Sequence, residues 1–210
     1  MNTSEKVPVA APGMRIGLLG GSFNPPHDAH RRISLTALKR LGLDQVWWLV
    51  TPGNPLKDVA NLRGLGERVA AAREVAAHPR IRVTGFDGGA KSGYTIDLLK
   101  ALRSQFCMAH FVWLMGADNL AQFHRWKAWP EIFATVPIAV LDRPGFRLKA
   151  RASQAAQRFA PYHVDETDAL GLALIEPPAW TIISHPLSAT SSTALRAQGA
   201  SAPGKRRGCG

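Results

Sequence analysis

Short apolar runs alternate with segments of helical spacing along this chain, and that alternation constrains the fold more than any other feature. Arg15 to Leu19 (RIGLL) ends at Gly20-Gly21, and Val46 to Val50 (VWWLV) closes on Thr51-Pro52-Gly53. Ile81 to Thr84, Phe111 to Met115 (FVWLM, stopped by Gly116) and Pro137 to Leu141 (PIAVL) follow. Apolar runs this short, bounded by turn residues, read as buried strands. Between them Ile33, Ala37 and Leu41 recur at helical spacing before Gly42, and Leu65, Val69, Ala72 and Ala76 do so before His78-Pro79. Ile96, Leu99 and Leu102 mark a third helix, and Ile132 with Phe133 a short fourth. Strands alternating with helices build βαβ units. The expected fold is therefore α/β, a doubly wound, mostly parallel sheet with helices on both faces. A helix over about 151–159, a last strand over Thr181 to Ser184 and a last helix over Ser191 to Gln198 complete the reading.

The 210 residues fit one domain, expected over 14–198, between a Pro/Ala-rich tail (1–13) and a small, basic tail (199–210) that carries Lys205-Arg206-Arg207. Cys107 and Cys209 are too few for a disulfide framework or a four-cysteine metal site, which points to a reducing, cytoplasmic setting. Cys107 is expected to be a buried small hydrophobe. No segment has the apolar run of a signal peptide or the roughly 18 apolar residues of a membrane span. A net charge of +11 favours anionic partners: nucleotides, phosphates, nucleic acid or an acidic lipid surface.

In a doubly wound sheet, ligands bind beyond the carboxyl ends of the strands. The stretch after the first strand, Gly20 to His30 (GGSFNPPHDAH), is the richest such place. The glycine pair admits close backbone approach and leaves N–H groups free. Ser22 adds a hydroxyl donor, Pro25 and Pro26 fix the turn, and Asp28 is the expected helix N-cap. His27 and His30, three apart, fall together around that helix start, whose positive end favours an anion. Two imidazoles there can donate hydrogen bonds to phosphate oxygens as negative charge develops. Two polar histidines in a turn, or a metal pair lacking a third ligand, are the rival accounts.

A second signal is Ser191-Ser192-Thr193-Ala194-Leu195-Arg196, where hydroxyls and N–H groups meet at a helix start and Arg196 can clamp a phosphate. A third is Gly116-Ala117-Asp118-Asn119, where a carboxylate can accept ribose hydroxyls or cap a helix. GGSFNPPHDAH resembles the GGTFDPxHxGH signature of the HxGH nucleotidyltransferases, and SSTALR resembles their ISSTxIR signature, about 160 residues away in the expected order. Asn24 and Ala29 depart from the usual Asp and Gly. Within that superfamily the chain is most similar to the bacterial nicotinate-nucleotide adenylyltransferases. The supporting residues are Asn54 to Lys57, Gly93-Tyr94-Thr95, Gly116 to Asn119, Trp126 in FHRWKAW, and Leu141 to Gly145.

The resemblance implies a Rossmann-like adenylyltransferase that joins nicotinate mononucleotide and ATP, with Mg²⁺, into deamido-NAD and pyrophosphate in NAD biosynthesis. It implies Gly20, Gly21 and Ser22 at the phosphates, Phe23 among the substrate- and ATP-binding residues, and His27 and His30 on the ATP phosphates. Ser192, Thr193 and Arg196 would hold the triphosphate, with Lys57 nearby. Gly116 and Asp118 would bind adenosine, and Tyr94, Thr95 and Trp126 would lie at the nicotinate ring. Arg143 and Arg63 are further cations near these loops. Phosphopantetheine adenylyltransferases and cytidylyltransferases share HxGH and stay open as alternatives. So does a non-catalytic RNA binder, although the interleaved aromatics of RNA modules are missing and no stable nucleic-acid partner is expected. The oligomeric state, monomer or homo-oligomer, is open.

Overall fold

A computed structural model describes residues 8–51, 62–85, 93–143 and 145–184. The expected last helix and the residues Lys57, Ser192, Thr193 and Arg196 lie outside them. The chain builds β1 (Arg15–Gly21), α1 (Asp28–Arg40), β2 (Gln45–Val50), α2 (Leu65–Ala76), β3 (Ile81–Thr84), α3 (Thr95–Gln105), β4 (His110–Gly116), the single turn α4 (Ala117–Leu120), α5 (Trp129–Thr135), β5 (Ile138–Leu141), α6 (Arg147–Arg151), α7 (Gln154–Arg158) and β6 (Trp180–Ile183). The six strands form one sheet in the order β3-β2-β1-β4-β5-β6, and every pairing is parallel. The doubly wound reading thus holds, and the sheet is parallel throughout.

Both faces are covered, which is why the strands read as continuous apolar runs rather than alternating ones. Successive side chains of β2 point to opposite faces. Trp47 and Leu49 join Ile16, Leu18 and Trp113 under α3 and α5. Val46, Trp48 and Val50 join Leu19 and Leu114 under α1 and α2. The strand order reverses between β1 and β4, where Leu19 lies opposite Leu114. The carboxyl ends of these two strands are Gly20-Gly21 and Gly116, so the switch point opens onto two of the glycine turns picked out in the sequence.

Three local expectations change. The segment at 151–159 is two short helices, because Ser153 starts a new one by accepting the Ala156 N–H at 3.2 Å. Asp28 is not the N-cap of α1. His27 holds that position with extended backbone, and Asp28 sits in the first turn, ion-paired with Arg32. Cys107 is exposed, not buried. The neighbouring Phe106 takes the inward place instead, edge-on to Trp47 at 5.7 Å and to Phe111 at 6.5 Å. Among the described residues no helix is long and apolar enough to cross a membrane.

The ring stack under α5 gives a check on this core. Phe133 is fully buried and lies flat on Phe159, with centroids 4.0 Å apart. Phe133→Ala is expected to cost about 3–5 kcal/mol, a fall of roughly 6–20 °C in the thermal midpoint measured by circular dichroism.

Candidate active site

The site grows from the two strand-end glycines. A Cβ on Gly20 would run into the ring of Trp113, which reaches across from β4. A Cβ on Gly116 would run into a carboxylate oxygen of Asp118 and lie 3.3 Å from Nε of Arg143. Neither glycine is there for an unusual backbone angle; each is there because a neighbour fills the space. Beyond Gly21 the chain turns through Phe23, whose φ of 46° is left-handed and uncommon for a residue with a side chain. The Phe23 ring is buried and lies 4.7 Å from the ring of His30.

His27 and His30 then meet at the start of α1 with ring centroids 3.8 Å apart. The His27 backbone N–H donates to Nδ1 of His30 at 3.2 Å, the place a capping-box glutamate usually takes. A ring nitrogen that accepts carries no proton, so neutral His30 keeps its proton on Nε2. Nδ1 of His27 is buried and has no partner among the described residues. Burial, helped by the charge of Arg143 and opposed by Asp28, lowers the pKa of His27 from 6.5 to about 4. Burial, with His27 and Arg143 adding to it, lowers His30 to about 3. Both rings are neutral at pH 7.

Arg143 also donates to Oδ2 of Asp118 at 3.0 Å, while Oδ1 of Asp118 is buried and unpartnered among the described residues. One guanidinium thus holds Asp118 beside Gly116 and acts through its charge on both histidines. The ring of Trp113 that faces Gly20 meets Trp126 edge-on at 6.4 Å, and Trp126 leans on Phe123 at 4.9 Å. Tyr94 is the N-cap of α3 and Thr95 its first residue. Lys127, next to Trp126, places its ammonium 4.2 Å from the Tyr94 ring centre. The structure therefore groups Phe23, His27 and His30 by ring contacts beside Gly21, places Asp118 and Arg143 against Gly116, and sets Trp113 between Gly20 and Trp126, with Tyr94-Thr95 beside the Trp126 segment.

Residues 18–198 match the cytidylyltransferase-like family model. The "probable nicotinate-nucleotide adenylyltransferase" of Methylorubrum extorquens (strain PA1) is 57% identical over 183 residues, covering 87% of this chain and 99% of that protein. The protein of the same name from Rhizobium meliloti (strain 1021) is 54% identical, covering 87% and 97%. The chain belongs to the nicotinate-nucleotide adenylyltransferase family. It is a nucleotidyltransferase. A solved structure, "Plasmodium falciparum nicotinic acid mononucleotide adenylyltransferase complexed with NaAD", shares the fold at a TM-score of 0.64 and 18% identity, covering 88% of this chain and 83% of that one.

One important residue of this family member escaped the sequence reading. Arg68 of α2 is 2% exposed. It donates to the carbonyls of Ser22 at 2.7 Å, Thr51 at 2.8 Å and Arg63 at 2.8 Å. It ties the turn after β1 to the residue that follows β2. The signal was available: Arg68 lies beside Val69 on the face marked by Leu65, Ala72 and Ala76, where a charge is out of place.

Two outcomes follow from these burials. Arg68→Met leaves the carbonyls of Ser22 and Thr51 without that donor and is expected to lower unfolding free energy by about 2–4 kcal/mol in urea denaturation. The histidines are depressed in the folded state, so below about pH 6.5 the unfolded chain binds protons that the folded chain refuses. Stability is expected to fall as the pH drops from about 6.5 toward 4. In the double variant His27→Gln/His30→Gln the urea midpoint should depend less on pH across that window.

Proposed function

We propose that this chain transfers the adenylyl group of ATP to nicotinate mononucleotide, giving deamido-NAD and pyrophosphate. The observation that carries the reading is the pair of neutral imidazoles, 3.8 Å apart, at the N-terminus of α1 beside the glycine turn of β1. Family membership supports it. In the reaction a phosphate oxygen of the mononucleotide attacks the α-phosphorus of ATP, and the bond from that phosphorus to the pyrophosphate oxygen breaks. The attacking group is already an anion and the leaving group is already good. No protein nucleophile and no covalent enzyme intermediate are required; positioning and charge stabilisation suffice.

Neutral rings suit this work because they donate without carrying a full charge that would bind substrate and transition state alike. Nε2–H of His30 is the free donor on that ring, since Nδ1 is occupied by the His27 amide. The positive end of α1 favours an anion beside the glycine turn of β1, which suits the ATP phosphates. The unpartnered carboxylate oxygen of Asp118 is an acceptor suited to a ribose hydroxyl. Trp126 supplies a flat ring for the pyridine, with Tyr94 and Thr95 beside it. We assign Lys57, Ser192, Thr193 and Arg196 to the phosphates as well, from the signatures alone.

Among the described residues no three His, Cys, Asp or Glu side chains cluster as a metal cage. We assign the Mg²⁺ to the ATP phosphates, where it would keep most of its waters. When bound, the ion supplies neutralisation of phosphate charge. Both nucleotides are the partners in this reading, and the cytoplasm is its setting.

Pyrophosphate release from ATP is expected to require nicotinate mononucleotide and to run faster with it than with the amide form. Absence of turnover with either substrate refutes the reading. His27→Ala is expected to lower kcat by about a thousandfold while the circular dichroism spectrum stays that of the wild type.

A further inference from the structure

We propose that Trp48, a β2 core residue outside both signatures, is a positioning residue for His30. Its ring seats Phe23 beneath the imidazole, and its indole N–H fixes, through Ser34, the backbone carbonyl of His30. The inference rests on the proposed role of His30 at the reacting phosphates.

Trp48 is fully buried, on the α1 side of the sheet. Its ring is stacked on Phe23, 5.0 Å between centroids and 17° between planes. Phe23 in turn lies 4.7 Å from His30, and His30 lies 3.8 Å from His27. Trp48 also reaches His30 directly at 5.8 Å, so Trp48, Phe23 and His30 close a three-ring cluster with His27 on its outer side. Phe23 occupies a left-handed backbone position that glycine would fill without strain. A phenylalanine there needs a reason in its side chain, and the ring cluster supplies one.

The second arm is polar. Nε1 of Trp48 donates to Oγ of Ser34 at 2.7 Å, and Oγ of Ser34 donates to the carbonyl of His30 at 2.8 Å. Ser34 is fully buried, so this route is shielded from water. The backbone of His30 is held by Ser34, its Nδ1 by the His27 amide and its ring by Phe23 and His27. Trp48 stands behind two of those restraints at once. The other charged and titratable groups acting on the histidine pair are Arg143 and, beside His27, Asp28.

Trp48→Phe keeps a ring for Phe23 and removes the indole donor. Ser34→Ala removes the relay and offers a second variant should the first unfold. The measurements are the thermal midpoint, kcat and KM for ATP, and the imidazole NMR signals of the substrate-free protein as a function of pH. We expect folded variants in which His30 shows a mixture of ring tautomers. Its titration should move up toward the ordinary value of about 6.5, and kcat should fall about tenfold with KM for ATP changed far less. Folded variants whose His30 signals match the wild type overturn the proposal, and so does an unchanged kcat. The NMR readout uses no substrate. A chain inactive with nicotinate mononucleotide would therefore strike the proposed function alone, while the seating of His30 would still be decided.

Discussion

The empty space in front of Gly20 belongs to Trp113, and the space in front of Gly116 belongs to Asp118 and Arg143. Everything at the site depends on those two absences of a side chain. They stand at the carboxyl ends of β1 and β4, the neighbouring strands between which the sheet reverses its order. Parallel strands aim their carboxyl ends the same way, so both turns open onto one rim. A methyl group at either place would push against a buried tryptophan or against the carboxylate held by Arg143. The glycines therefore admit the protein's own side chains first, and those side chains shape what a nucleotide would meet.

The same crowding governs the histidines. Among the described residues the carboxylate acting on the pair is Asp28, and it is ion-paired with Arg32. Burial and Arg143 hold both rings neutral. The left-handed turn at Phe23 costs roughly 1–2 kcal/mol. Burying its ring returns about 1.5–3 kcal/mol, and each stacked or tilted aromatic contact adds about 0.5–1.5 kcal/mol. The balance favours the turn, and the turn is what brings the ring under His30. An apolar support thus fixes the orientation and the protonation of a polar group, a combination that a solvated histidine pair could not keep.

The alternation of apolar runs and helical spacing was enough to read the sheet and its parallel sense, because a strand covered on both faces must be apolar throughout. The termini of elements were less legible. Asp28 looked like a cap by residue type, yet His27 holds the cap, because at this turn the reciprocal bond comes from a histidine at the third helical position rather than from a glutamate. The split at Ser153 was hidden inside a run of alanines that suits one helix as well as two. Local spacing is silent about contacts between distant strands, so it could not show that Trp113 faces Gly20 or that Trp48 stands under Phe23. Both tryptophans look like ordinary core residues in VWWLV and FVWLM, and in packing terms they are.

The excess of basic residues acquires an internal meaning. Several arginines find backbone carbonyls rather than carboxylates. Arg31 donates to the carbonyl of Ala76 at 3.3 Å and Arg103 to that of Thr135 at 3.0 Å, and these carbonyls belong to the last residues of α2 and α5. Arg80 reaches the carbonyl of Leu43 at 3.4 Å, and Arg68 reaches three carbonyls. Helix carboxyl ends carry partial negative charge and orphan acceptors, so a cation is the natural complement there. A chain that caps its helices and loops with guanidinium groups accumulates positive charge without needing an acidic partner for each one. The formal charge of +11 counts those groups at full value although their work is done on backbone oxygens. It omits the two histidines, which are neutral and stand where the phosphates are expected. Net charge therefore overstates the cations that face a ligand and is blind to the groups best placed to meet one.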